Sequence, residues 1–396
     1  IKAAPKQASA YYYLGLAHLQ RQNTQSAKAA LTRAIDLAPT FTDPYPALAR
    51  LHMQSQAFAQ AVEVGQQLLK LQPNNTNAQR ILGDAYLAQG EGAKAMAAFK
   101  AATETTSQDP LDYYRLGLGY RSQQREQEAL EAFEKALSRD PNLVDALAQI
   151  IDRYTARGLQ AKALERIRSQ TKAAPNNPFV HTLLGNATLA LGQDTEAEEA
   201  FNKAIALDEN LLAAYGGLAR LYAKNNTIEQ AIVRFEAMIK GQPDLLPPHM
   251  LLGLVYEWQS KPQKANEYYQ KALQINPQFA PAANNLAWNY AEHGGNLDAA
   301  LSLAQKATAQ VPNNPDMLDT LGWIYYKKNA YAQAIGPLQE SAQARANNPL
   351  IRYHLGMAYY KHARQDPAKA ELQQALQLSQ TFLGAQEARE TLAALQ

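Results

Sequence analysis

Histidines are the residues of this chain whose side chains could bind a transition metal or transfer protons near neutral pH. The chain has seven of them. His354 and His362 are eight residues apart, two turns of one predicted helix, but no carboxylate stands at the spacing of a helical zinc site. His18 and His52 are 34 residues apart. Recurrence at a fixed interval indicates a repeated structural position, so we predict that these two imidazoles pack and that the chain has no metal site.

Nucleophiles and cofactor motifs are equally scarce. The sequence contains no cysteine, which excludes disulfides, thiolate zinc sites and cysteine nucleophiles. It has no phosphate-binding loop, no G-x-S-x-G nucleophile turn and no G-x-G-x-x-G dinucleotide motif after a predicted strand. The acidic pair Glu198 and Glu199 falls on a predicted solvated helix face. We therefore predict that the chain is not an enzyme, has no catalytic residues and needs no cofactor.

The charge distribution restricts the class of partner. The chain has 38 basic and 36 acidic residues, a net charge of +2, without a cluster of lysines and arginines. Nucleic-acid phosphates require such a cluster, so we predict no nucleic-acid partner. No apolar run reaches the roughly 18 residues that a membrane-spanning helix needs, so we predict no transmembrane segment.

A repeated structural element must position the remaining candidate residues. Helix-forming residues dominate the sequence, and runs rich in valine, isoleucine or threonine are few. Leu-Gly or Leu-Ala pairs recur every 34 residues or a multiple, as at Leu14-Gly15, Leu48-Ala49 and Leu116-Gly117. Prolines follow the same period, with one interval a residue longer, at Pro5, Pro39, Pro73, Pro141, Pro175, Pro243, Pro277 and Pro312. A period of this length predicts an array of helix pairs.

The period and its residues resemble the tetratricopeptide repeat over essentially the whole chain. Residues 110–143 carry the full pattern of bulky and small residues at Tyr113, Leu116, Gly117, Tyr120, Ala129, Phe133, Ala136 and Pro141. The resemblance implies an all-α fold, a right-handed α-solenoid superhelix of stacked helix pairs. It divides residues 8–382 into eleven repeats: 8–41, 42–75, 76–109, 110–143, 144–177, 178–211, 212–245, 246–279, 280–314, 315–348 and 349–382.

The two ends of the chain depart from the repeat. Residues 1–5 align with residues 35–39, one period later, so we expect residues 1–7 to be the end of a truncated upstream repeat. In residues 383–396 the apolar positions Leu383, Ala388, Leu392 and Leu395 lie on or near one stripe of a helix. Since a solenoid needs a terminal element with a polar outer face, we predict a C-terminal capping helix at 383–396.

The resemblance also implies where a ligand would bind, because the first helix of each repeat lines the concave groove in this family. Inward positions of the late repeats hold aromatic and a few polar residues, including all three tryptophans. The predicted ligand-binding residues are Trp258, Asn284, Trp288, Asp319, Trp323, Tyr326, Tyr353, Met357 and Tyr360. Grouped exposed aromatic residues typically mark a binding site. For Trp288 and Trp323, packing against the neighbouring repeat is an alternative of equal weight.

Residues 284–376 resemble a more specific group of tetratricopeptide repeat proteins. The segments DTLGW at 319–323 and YHLGMAYY at 353–360 are similar to the C-terminal repeats of bacterial tetratricopeptide lipoproteins found with exosortase/PEP-CTERM exopolysaccharide systems. This implies a location in the periplasm or at the outer membrane, the alternative being the cytoplasm. The expected function is a non-catalytic scaffold that binds a peptide or partner subunit in the groove. The alternative is a carbohydrate-binding guide whose late aromatic residues contact an exported polysaccharide.

Overall fold

The computed structural model describes residues 6–105 and 109–395, and across these ranges the chain is helical without a β-strand. This confirms the predicted all-α class. Most of the segment predicted to end an upstream repeat, residues 1–7, lies outside the described ranges, so that prediction stays untested. None of the helices in the two ranges combines the length and hydrophobicity needed to cross a lipid bilayer.

Two helices lie within each predicted repeat, and one more follows the last. The repeat boundaries themselves stay a proposal. The helices are α1 (Ala8–Gln20), α2 (Thr24–Leu37), α3 (Pro44–Gln54), α4 (Phe58–Leu71), α5 (Thr76–Ala88), α6 (Gly92–Thr103), α7 (Pro110–Ser122), α8 (Glu126–Arg139), α9 (Val144–Ala156), α10 (Gln160–Ala173), α11 (Pro178–Ala190), α12 (Asp194–Leu207), α13 (Leu212–Lys224), α14 (Ile228–Gly241), α15 (Leu246–Trp258), α16 (Pro262–Ile275), α17 (Ala280–Glu292), α18 (Leu297–Gln310), α19 (Pro315–Lys327), α20 (Tyr331–Ala344), α21 (Pro349–Lys361), α22 (Gln365–Leu378) and α23 (Ala385–Ala394).

The chain divides into two compact units, Ile1–Gly192 and Gln193–Gln396, which we call the N-terminal and C-terminal units. Within each unit, consecutive helices pack against each other. First helices of neighbouring repeats also touch, as α3 touches α5 in the N-terminal unit and α19 touches α21 in the C-terminal unit. Each helix pair therefore buries its apolar side against its neighbours, as expected for stacked repeats.

Glycines in the first helices permit the close approach of the second. A methyl group added to Gly117 would lie 2.4 Å from the ring of Phe133, and one added to Gly253 would lie 2.3 Å from the ring of Tyr269. Real carbon atoms do not come this close, so only glycine fits beneath these rings. These two small residues of the repeat pattern thus permit the close packing of its two helices.

The turn between the two helices of each predicted repeat contains one left-handed residue, although the ninth turn, between α17 and α18, is one residue longer than the others. This residue has a positive φ of between 54° and 78° at Gln22, Gln56, Gly90, Gln124, Gly158, Gly192, Asn226, Ser260, Gly294, Asn329 and Ala363. Only four of these eleven residues are glycine, the residue type for which this conformation is free of strain. The fold of the repeat therefore requires a left-handed backbone conformation at this position, even where the residue is not glycine.

Candidate functional site

All nine residues predicted to bind a ligand lie on α15, α17, α19 and α21 of the C-terminal unit. These are first helices of their repeats, and with α13 they form one side of this unit, which we call the first-helix face. The position of each residue on a helix of this face agrees with the sequence analysis. Their environments differ, however, and separate them into buried, half-buried and exposed residues.

Trp323 is the centre of a buried aromatic stack. Its ring lies parallel to that of Tyr326, with centroids 4.5 Å apart, and 4.0 Å from the imidazole of His354. Its indole Nε1 donates a hydrogen bond of 2.7 Å to Glu292. Lys327 forms an ion pair with the same carboxylate and lies 5.2 Å from the indole ring. Only 5% of Trp323 is exposed, so every part of the side chain has a partner within the protein.

Asp319 is engaged by a histidine that the sequence analysis did not connect with it. Its Oδ1 lies 2.8 Å from Nδ1 of His354, and both side chains are buried. Trp288, on α17, lies 5.8 Å from the same imidazole. Among the described residues, no group of three or more histidine, aspartate or glutamate side chains could hold a metal ion. His354 and Asp319 therefore form a buried polar pair within the aromatic stack.

The helix α23 covers Tyr353 and Met357. The hydroxyl of Tyr353 donates a hydrogen bond of 2.5 Å to Glu387, and Oγ1 of Thr391 lies 3.6 Å from the sulfur of Met357. Gly384, just before α23, has a φ of +92°, and a methyl group added to it would lie 2.3 Å from the ring of Tyr353. Burial is the main reason that the pKa of the Tyr353 hydroxyl is raised above its ordinary value. The predicted cap thus packs directly onto two predicted ligand-binding residues.

These contacts correct the expectation that the late aromatic residues form an exposed surface. Four of the nine residues are buried because neighbouring first helices and α23 cover them: Asp319, Trp323, Tyr353 and Met357. Four are half-buried: Asn284, Trp288, Tyr326 and Tyr360. Trp258, at the end of α15, is 52% exposed. Contact of any of these residues with a ligand stays a prediction, and Trp258 is the one whose ring is freely accessible.

A second polar group on this face was missed by the sequence analysis. The carboxyl of Glu257 on α15 interacts with the Tyr269 hydroxyl and the Asn289 amide, both of which act to lower its pKa. Asn285 donates a 3.3 Å hydrogen bond to the same hydroxyl, and Asn289 donates a 3.1 Å hydrogen bond to Asn266. Burial raises the pKa of the Glu257 carboxyl from 4.5 to about 7. The available signal was the tyrosine at 269, where several other repeats have phenylalanine.

The first helices of repeats in the N-terminal unit carry charged side chains that form ion pairs with each other. Arg80 lies between Asp109 and Asp112, at 2.8 and 2.6 Å, and Arg115 lies 3.3 Å from Asp84. Burial raises the pKa of Asp84 above its ordinary value. Here α3, α5 and α7 border a cavity of about 540 Å³, lined by these residues except Asp112 and by several apolar ones. None of the predicted ligand-binding residues lies in this region.

Comparison with known proteins places the repeats in a family. Models of the tetratricopeptide repeat match residues 8–41, 47–110, 111–143, 180–211 and 259–324. The chain is 23% identical over 244 residues to BBSome complex member BBS4 of Bos taurus, covering 62% of this chain and 47% of that protein. The chain thus spans about half the length of that relative.

A bacterial relative covers more of this chain. Cellulose synthase operon protein C of Pseudomonas fluorescens is 25% identical over 376 residues, which are 89% of this chain and 28% of that protein. A solved structure, the APC/C hetero-tetramer Cut9–Hcn1, matches with a TM-score of 0.47 and 14% identity over 98% of this chain and 96% of that chain. With family models that together match more than half of its residues, the chain belongs to the tetratricopeptide repeat family.

Proposed function

We propose that the chain is a non-catalytic scaffold that binds a peptide or a segment of a partner protein on the first-helix face of the C-terminal unit. The observation that carries this proposal is Trp258, whose indole is 52% exposed on that face. Exposed tryptophans contribute to protein interfaces more often than other side chains, because a single ring buries a large apolar area. The half-buried Trp288 lies on α17, the next first helix along the chain.

The proposed setting is bacterial exopolysaccharide export or protein sorting in the cell envelope, with the protein in the periplasm or at the outer membrane. Two observations support this setting. Residues 284–376 are similar to the repeats of exosortase-associated lipoproteins, and the Pseudomonas fluorescens relative is named for a cellulose synthase operon. A cytoplasmic location is the alternative. Fractionation of the native host, with detection by an antibody against the chain, distinguishes the two.

A second candidate function is a guide for an exported polysaccharide. Trp258 favours it, because an exposed indole can stack on the apolar face of a sugar ring. The neighbouring Glu257 and Asn284 supply acceptor oxygens for sugar hydroxyls. Calorimetric titration with cello-oligosaccharides tests this function. Heat that saturates in the wild type and disappears in Trp258→Ala supports it, and the absence of heat at millimolar sugar contradicts it.

Selection from a random peptide library displayed on phage tests the scaffold proposal. Peptides selected on the wild-type chain are then titrated against Trp258→Ala and against Val233→Ala. Val233 is a matched control, because it is an apolar residue of the same unit that is 67% exposed but lies on a second helix, α14. We expect Trp258→Ala to weaken binding by about tenfold or more and Val233→Ala to leave it unchanged. Equal losses in the two variants, or no selected peptides, would contradict the proposal.

A further inference from the structure

Tyr269, Glu257 and Asn289 occupy positions that are apolar in most other repeats, the exceptions being Arg121 and Thr155 at the position of Glu257 and Arg153 at that of Asn289. Tyr269 takes the place of Phe99, Phe133 and Phe201 in other repeats, all of them buried. Glu257 stands where Leu19, Met53 and Leu87 stand in the first three repeats, and Asn289 stands where Leu51, Leu221 and Val255 stand. Introducing several polar groups into one part of a repeated apolar interior is unfavourable for stability unless they are fully paired. Their presence together indicates a local function.

Polar contacts and hydrogen bonds join these residues into one network that leads from α15 to α17. The Tyr269 hydroxyl and the Asn289 amide interact with the Glu257 carboxylate and act to lower its pKa, against the larger effect of burial. Asn285 donates to the Tyr269 hydroxyl at 3.3 Å, and Asn284 donates to the Asn285 side chain at 3.4 Å. The partners of Glu257 in this network are neutral. Among the described residues, no lysine, arginine or histidine forms an ion pair with Glu257.

Within this group of polar residues, two buried acceptor oxygens have no hydrogen-bond partner. They are Oε1 of Glu257 and Oδ1 of Asn284. A buried acceptor without a donor is unfavourable, and a buried carboxylate without a cation is more so. An ionised carboxylate oxygen and an amide oxygen are acceptors, so the group that satisfies them above the pKa of Glu257 must carry N–H or O–H donors. A cationic donor would also compensate the carboxylate charge, which a neutral hydroxyl or amide cannot do.

The surroundings suit a long cationic side chain. Glu257 and Asn284 are half-buried residues, so both lie at the border of the interior and the first-helix face. Trp258 follows Glu257 directly in α15 and exposes about half of its surface. An indole ring binds both the methylene groups of an arginine and its guanidinium. Both acceptor oxygens are covered, so a ligand group that reaches them loses its own hydration. This loss is compensated only if the ligand carries a charge opposite to that of the carboxylate.

We propose that Glu257 and Asn284 form a receptor for the guanidinium of an arginine in the bound segment, with Trp258 contacting the side chain. The planar guanidinium has five N–H donors and remains charged when it is buried. This inference rests on the proposed scaffold function and adds the chemistry of the residue that is recognised. It predicts that segments bound by the C-terminal unit present an arginine to α15 and α17.

The test uses two alanine-based peptides with blocked termini, which differ only in the group at the end of one side chain. One has a central arginine and the other a central citrulline, which has nearly the same shape without the charge. Binding to the full chain is followed by the indole N–H signals of the three tryptophans in nitrogen-15 spectra, with the Trp258 signal assigned from Trp258→Phe. We expect the arginine peptide to shift the Trp258 signal saturably and the citrulline peptide to bind at least about tenfold more weakly.

Variants identify the receptor. Glu257→Gln removes the charge with little change of shape, and we expect it to bind both peptides equally weakly. Glu257→Asp keeps the charge and should retain the preference for arginine, which covers the case of a Gln variant that does not fold. The matched control is Glu267→Gln, which removes an exposed carboxylate from α16 and should leave the arginine affinity unchanged.

Three results of the titrations with the alanine peptides and a cello-oligosaccharide would overturn the inference. They are equal binding of the two peptides by the wild type, an arginine preference that persists in Glu257→Gln, and saturation of the Trp258 signal by a cello-oligosaccharide but not by the arginine peptide. Library peptides that bind through Trp258 but are insensitive to Glu257→Gln would end this inference and leave the scaffold function intact. An arginine preference without any selected peptide would weaken the scaffold function instead.

Discussion

The three tryptophans show how one residue type has different functions on one side of the C-terminal unit. Trp323 is enclosed by Tyr326 and His354 and hydrogen bonded to Glu292, whereas Trp258 is 52% exposed. Trp288 is half-buried and approaches the same histidine. For Trp323, burial favours packing, one of the two alternatives that the sequence left open. For Trp258 the surface remains available to a ligand.

Truncation of the two extreme tryptophans should therefore affect stability very differently. Trp323→Ala is expected to lower the free energy of unfolding by about 3 to 5 kcal/mol, because it leaves a cavity and frees the Glu292 carboxylate from a hydrogen bond. Trp258→Ala is expected to change it by no more than about 0.5 kcal/mol, as for other exposed positions. Urea unfolding followed by circular dichroism measures both. Similar losses in the two variants would mean that Trp258 packs in solution.

Glu257 couples folding to pH. Burial raises the pKa of its carboxyl from 4.5 to about 7, so the folded chain holds this proton more tightly than the unfolded chain. The contribution of the Glu257 proton to the stability of the folded chain is therefore greatest below pH 4.5. It declines as the pH rises and the carboxyl ionises, and it is fully lost above about pH 7. A shift of this size corresponds to at most about 3 kcal/mol.

We predict that Glu257→Gln removes this pH dependence. The wild-type unfolding free energy should fall between about pH 5 and about pH 8 by up to roughly 3 kcal/mol more than that of the variant. Denaturant unfolding at a series of pH values measures the difference. Glu267→Gln, an exposed carboxylate on α16, serves as the control and should behave like the wild type. Parallel pH profiles for wild type and Glu257→Gln would show that the carboxylate is better solvated than the structure indicates.

At the scale of the helix, the turn within each repeat is the element with the strictest requirement. It places a residue with positive φ between the two helices in all eleven predicted repeats. Gly90 satisfies this without strain, and a methyl group added there would meet no atom within 4 Å. Ala363 adopts the same conformation with a φ of 59° and carries the strain of its Cβ atom. The two positions differ in residue type but have the same backbone.

Reciprocal substitutions should therefore have opposite effects. Gly90→Ala is expected to destabilise by about 1 kcal/mol, because it adds backbone strain without any clash of side chains. Ala363→Gly should remove similar strain and stabilise by somewhat less, since glycine also increases the entropy of the unfolded chain. Calorimetric melting of both variants tests the pair. Two shifts of the same sign would contradict the assignment of backbone strain.

At the scale of the whole chain, α23 ends the C-terminal unit by burying residues that would otherwise lie open. It packs against α21 and α22 and covers Tyr353 and Met357. In a repeat array each helix pair depends mainly on its neighbours, so the last pair is stable only if another element covers it. Trp258 on α15 is the most exposed of the nine candidate residues, and this end of the first-helix face is where the two proposals place the ligand.

Removal of residues 383–396 should consequently loosen the adjacent helices first. We expect faster amide hydrogen exchange in α21 and α22, because the truncation uncovers Tyr353 and Met357 and removes the Glu387 hydrogen bond. Helices α3 to α8 of the N-terminal unit act as an internal reference and should exchange as before. The control Leu383→Ala alters a side chain that is 62% exposed and should have no effect. Unchanged protection in α21 would show that α23 is dispensable.

The sequence by itself determined the repeated helix pair, its period and the residue types in each slot. These features depend on local propensity and on the spacing of small and bulky residues, as Gly117 beneath Phe133 illustrates. The helices that carry the nine candidate residues followed from the same period. The sequence also shows that Tyr269 stands where several other repeats have phenylalanine, but this substitution was not used to predict a polar group.

Only the tertiary structure decided which of those candidates are exposed. Exposure depends on what lies across from a residue, and the partners here come from distant parts of the chain. Tyr353 and Glu387 are 34 residues apart, as are Met357 and Thr391, and His354 meets Asp319 over 35 positions. The polar network from Glu257 to Asn284 likewise assembles from three helices. A periodic pattern predicts the side of a helix on which a residue lies, but three-dimensional packing determines whether that side faces solvent, a neighbouring helix or a cap.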